Sequence, residues 1–127
     1  MMKIKVEKKM LANAVSNVLK AVPGKTTMQI LNNILITAIG SEIVLVGNDL
    51  ELGISSSVEG EIVEQGKTTI DARLFSEIVR KLPDGEVSLS VDEKGTATVK
   101  CGKSKFSLAT MDADDFPLPP FVEEMAQ

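Results

Sequence analysis

What most constrains the fold of this chain is a pattern that occurs twice: a strand, an amphipathic helix and three strands, then the same order again. Residues 2–7 alternate Met2, Ile4 and Val6 against Lys3, Lys5 and Glu7, the period-two signature of a strand with one buried face. Leu11, Val15, Val18, Leu19 and Val22 then recur at helical spacing, with Lys9, Asn13, Ser16, Asn17 and Lys20 on the opposite side. Pro23-Gly24 ends that helix. After an irregular stretch to Asn33, the β-branched runs Ile34–Ile39, Ile43–Val46 and Leu52–Val58 read as consecutive antiparallel strands, separated by Gly40-Ser41 and Gly47-Asn48-Asp49.

The second pass begins with a strand at Lys67–Ile70. Phe75, Ile78, Val79 and Leu82 make a second apolar stripe, which Asp71 is placed to cap and Pro83-Asp84-Gly85 to end. Strands near Val87–Val91, Thr96–Cys101 and Phe106–Thr110 follow. The repetition predicts an α+β fold of two half-domains related by a pseudo-twofold, with both helices on one side of antiparallel sheets. A length of 127 residues with 43% hydrophobic content suits one such domain with a real core.

Charge is distributed against the average. The chain is acidic, with 14 Lys+Arg against 18 Asp+Glu, yet its two helical stretches are basic. Residues 8–25 hold Lys8, Lys9, Lys20 and Lys25 without an acid, and residues 72–82 hold Arg73, Arg80 and Lys81 against Glu77. Their net charges are +4 and +2, leaving −10 elsewhere. Positive charge gathered on two helices of an acidic protein draws a polyanion to one face, which makes nucleic acid the first candidate partner. Four Phe with no Trp or Tyr leave no stacking platforms for unpaired bases, so contacts are expected to the backbone.

Composition also argues against chemistry. There is no His, and Cys101 is the single cysteine, so the usual metal sites, Ser-His or Cys-His nucleophile systems and an internal disulfide are not expected. Cys101, which follows Ala97 and Val99 in alternation, reads as a buried structural residue. Gly24-Lys25-Thr26 is not a phosphate-binding P-loop, because position 19 is Leu where such a loop needs Gly and a helix precedes it. Asp112, Asp114 and Asp115 lack the ligand spacing of a calcium loop and read as a solvated acidic turn. No cofactor is expected. Asp49 and Asp71, the carboxylates that acid-assisted phosphoryl transfer would use, form no recognisable cluster. No window approaches the roughly 18 apolar residues of a membrane span, and a cytoplasmic location is expected.

Four blocks in order resemble the N-terminal domain of the bacterial DNA polymerase III beta subunit family, the replicative sliding clamps: Ile30-Leu31-Asn32-Asn33-Ile34-Leu35, Gly47-Asn48-Asp49-Leu50-Glu51, Asp71-Ala72-Arg73-Leu74-Phe75 and Gly102-Lys103-Ser104-Lys105-Phe106-Ser107-Leu108-Ala109-Thr110. The likeness runs from Met2 to Pro117. It implies the clamp fold, in which three such domains follow one another and two chains close head to tail around duplex DNA, with helices lining the hole. It implies that Lys25, in the loop after the first helix, reaches the DNA, as a point charge where relatives often carry an Arg fork. Arg73 is then expected to face a phosphate, with Arg80, Lys20 and Lys9 on the same DNA-facing side. Phe106 and Leu108, with Lys103, Lys105 and Leu74, become the edge that meets the third domain of the partner chain.

The resemblance makes residues 1–120 one clamp domain, and residues 121–127 a tail or truncated linker to a second domain. The function expected is that of a non-catalytic processivity subunit, with polymerase and clamp loader contacting domains beyond this one. The competing expectation is a stand-alone interaction module of clamp-like fold that binds a protein through its sheet edge.

Overall fold

The structure, a computed structural model, describes residues 2–119. Alternation in the first strand and helical spacing after it produce the expected start: β1 (Met2–Glu7) buries Met2, Ile4 and Val6, and α1 (Lys8–Leu19) buries Leu11, Ala14, Val15 and Val18. A 3-10 turn at Gln29–Asn32 leads into β2 (Asn33–Ile39), β3 (Glu42–Asn48), β4 (Gly53–Val58), β5 (Gly60–Glu64) and β6 (Gly66–Asp71). The second half continues with α2 (Ala72–Lys81), β7 (Glu86–Val91), β8 (Thr96–Cys101) and β9 (Ser104–Met111).

The strands form one antiparallel sheet in the order β4-β3-β2-β6-β9-β8-β7-β1-β5. This order carries the pseudo-twofold. Each half donates its first strand to the other: β1 pairs with β7 in register Ile4–Leu89, and β6 pairs with β2 in register Ile34–Ile70. The two runs of strands meet where β9, paired along most of its length with β8, also bonds β6 at Thr69–Met111 and Ile70–Thr110. Asn33 Nδ2 donates to Thr69 Oγ1 at 3.0 Å, and that hydroxyl donates to the Met111 carbonyl at 3.0 Å, so the buried polar groups at this seam are all satisfied.

Among the described residues there are nine strands rather than the eight expected; the extra one is β5. It adds to β1 with Val6 opposite Gly60, and only Glu59 separates it from β4 at the far end of the strand order. A chain that leaves one run and joins the other within a residue needs close backbone approach, and Gly60 allows it, since a Cβ there would press on the Lys5 carbonyl and the Val6 side chain.

Both helices and the inward residues of both runs share one hydrophobic cluster, in which Phe75 is fully buried. Gly47 lets α1 lie directly on β3, because a Cβ at that position would strike the Val18 carbonyl. A smaller cluster of Ile30, Leu31, Leu35, Val46 and Phe116 covers the other face of β2 and β3 with the segment that follows β9. The expected boundary at residue 120 and the tail at 121–127 lie outside the described residues.

Candidate nucleic-acid interface

The basic face is built by two helices whose inner sides are fixed by the core. On α1, Glu7 is the N-cap and accepts from the Met10 amide at 3.0 Å. That cap matters because the first turn carries Lys8 and Lys9 and no acid, a charge arrangement the helix dipole disfavours. On α2, Asp71 accepts from the Leu74 amide at 2.9 Å, as the sequence predicts, and Arg80 and Lys81 complement the dipole in the last turn.

The two helices lie side by side and antiparallel, tied at both ends. Lys8 Nζ, at the start of α1, donates to the Arg80 carbonyl near the end of α2 at 3.4 Å. Arg73 Nη2, at the start of α2, donates to the Pro23 carbonyl just after α1 at 3.2 Å. With their apolar stripes buried in one core, both helices turn their polar faces to the same side of the sheet. Lys9, Lys20, Arg73 and Arg80 are exposed, with Asn13, Ser16 and Asn17 also exposed on α1, and Lys25 is exposed in the loop that follows α1. Glu77 is the sole acid on either helix.

The expected edge residues divide. Lys103 and Lys105 are exposed and Leu74 is 46% exposed, but Leu108 is 7% exposed and belongs to the core, with Phe106 half-buried at its margin. The Leu108 side chain is therefore a core residue. Over Ser104–Ala109, β9 bonds β8 on one side and has no strand on the other among the described residues.

Asp49, Asp112 and Asp114 are engaged by backbone amides or by a lysine. Asp49 Oδ1 accepts from the amides of Leu52 and Glu51, which hold its carboxyl below its ordinary value. Asp112 Oδ1 accepts from the Asp114 amide at 2.9 Å, and Asp114 pairs with Lys67 at 2.6 Å. Among the described residues no group of three His, Cys, Asp or Glu is placed to hold a metal ion, and no helix is long and apolar enough to cross a membrane. Cys101 is buried, its thiol donating to the Pro83 carbonyl at 3.2 Å.

One continuous antiparallel sheet of two similar halves that carries two adjacent basic helices on one side defines the class: this is a DNA clamp domain. Its fold matches the crystal structure of the Bacillus subtilis DNA polymerase sliding clamp with a TM-score of 0.89 at 35% identity, over 93% of this chain and 33% of that one. A candidate DNA polymerase III beta subunit from Eubacterium rectale matches with a TM-score of 0.93 at 45% identity, over 94% and 33%. The chain belongs to the DNA polymerase III beta subunit family, whose N-terminal domain pattern matches residues 2–120. The beta sliding clamp of Bacillus subtilis is 37% identical over 97% of this chain and 35% of its own length. That of Staphylococcus epidermidis is 35% identical over 96% and 34%. The chain thus spans about a third of the length of these curated relatives.

Proposed function

We propose that this chain acts as the N-terminal domain of a sliding clamp: a non-catalytic, cytoplasmic processivity element that contributes one segment of a ring around duplex DNA. The observation that carries this reading is the pair of adjacent antiparallel helices, tied at both ends, with Lys9, Lys20, Arg73 and Arg80 exposed along them and Lys25 exposed in the adjoining loop. Cations without aromatic platforms suit backbone phosphates, which position a protein on DNA without specifying bases. Such contacts give a Kd of roughly 10⁻⁴–10⁻⁶ M at physiological salt, loose enough for sliding while a closed ring prevents escape.

In this reading the unpaired edge of β9, with Lys103, Lys105, Leu74 and the border residue Phe106, meets another clamp domain and closes the ring head to tail. Polymerase and clamp loader bind elsewhere on the longer protein. Titration of a fluorescent duplex at stepped salt concentrations tests the DNA face. Charge reversal of Lys25 and Arg73 together is expected to weaken binding and to reduce the salt slope by about 0.9 for each phosphate that is no longer neutralised. An unchanged slope removes both residues from the DNA-facing set.

A further inference from the structure

The loop that carries Lys25 has little to hold it. Val22 before it and Ile30 after it are buried, but Gly24, Lys25 and Thr27 between them are exposed, and a Cβ at Gly24 would meet nothing within 4 Å. Thr26 Oγ1 accepts from the Met28 amide at 3.0 Å, a bond internal to the segment. Among the described residues, apart from that bond to the adjoining Met28, the one hydrogen bond that residues 23–27 make comes from Arg73, across 50 positions of sequence.

We propose that Arg73 is the positioning residue of the Lys25 loop, holding it against the start of α2 so that Lys25 is presented beside the helix face. Arginine suits this double position. Its planar fork carries five N–H donors, and the bond to Pro23 uses Nη2, leaving the other donors for a phosphate. Lys25 then depends on Arg73 for its place, and their contributions to duplex binding are coupled. That consequence rests on the clamp reading; the brace itself does not.

Limited trypsin digestion of the chain, following the fragment cut after Lys25 by mass, tests the brace with no DNA present. Cleavage needs the loop to open, and losing a hydrogen bond of about 1 kcal/mol makes opening about fivefold easier. Arg73→Ala is expected to raise the Lys25 cleavage rate by about that factor, while Arg80→Ala, an equal charge loss farther along α2, leaves it at the parent rate. An unchanged rate in Arg73→Ala, or an equal rise in Arg80→Ala, overturns the proposal. In duplex titrations, Lys25→Ala made on top of Arg73→Ala should cost less than it does alone. If Arg73→Ala frees the loop and duplex binding does not change, the brace stands and the clamp reading of this face fails.

Discussion

Asn48, at the end of β3, donates from Nδ2 to the Pro117 carbonyl at 2.7 Å, and its Oδ1 accepts from the Leu50 amide at 2.8 Å. One side chain thereby fixes two things. It pins the segment after β9 onto the β2–β3 face, where Phe116 is buried, and it supports Leu50 at a φ of 78°, a backbone region that leucine rarely adopts. Asn48 is 6% exposed, so the amide works where water competes little.

Asn48→Ala should therefore lower stability by about 1–3 kcal/mol, the cost of losing two hydrogen bonds made by a buried side chain. The expected result is a lower urea midpoint with an unchanged slope. A midpoint equal to that of the parent would show that the Pro117 segment is held by Phe116 alone.

Gly47 answers to a different force, the steric one. A methyl at this position must displace the Val18 carbonyl at the end of α1, so Gly47→Ala is expected to cost about 1–3 kcal/mol although it adds a single carbon and improves strand propensity. Gly24→Ala, where the Cβ meets open space, is the matched control and should leave the urea midpoint nearly unchanged.

The helices were legible because each has one buried stripe: Val15 and Val18 on α1, and Phe75, Ile78 and Val79 on α2, stand at spacings that only a helix places on one face. The strand β5 was not. Its sequence, Gly-Glu-Ile-Val-Glu, is largely exposed, and it is a strand because β1 offers it a backbone edge, which is a tertiary cause. The exchange of first strands between the halves is likewise a matter of distant pairing, absent from any local pattern. Among the site residues, exposure of the cations followed from the stripes they oppose. Leu108 did not separate from Phe106, because alternation assigns both to one face without saying how deeply each is buried. The Arg73–Pro23 bond joins residues 50 apart and had no local signal.

Asp49 gives a pH signature. The Leu52 amide first, and then that of Glu51, stabilise its ionised form and hold the folded pKa below the ordinary 3.8. A depressed carboxylate contributes stability above its unfolded pKa and loses it as pH falls through the folded value. Asp49→Asn should therefore be less stable than the parent above 3.8, and the difference should narrow as the pH is lowered below it. Urea midpoints measured for both proteins down this range check the sign. A difference that stays constant with pH would mean that the Asp49 charge is not what the Leu52 and Glu51 amides stabilise.

Glu77 offers the converse test of the DNA face. It is exposed on α2, within four positions of Arg73, Arg80 and Lys81, and forms no ion pair among the described residues. If duplex phosphates approach this side, the Glu77 carboxylate opposes them and does nothing else that folding requires. Glu77→Lys should then tighten duplex binding and steepen the salt slope by up to about 0.9, the value for one more neutralised phosphate, with thermal stability shifted little. The slope separates this from a general gain in basicity: Glu93→Lys, the same change in the loop between β7 and β8, should leave it near the parent value. Equal steepening by both substitutions would mean that the duplex is attracted by overall charge, and the two-helix face would lose its claim to the DNA.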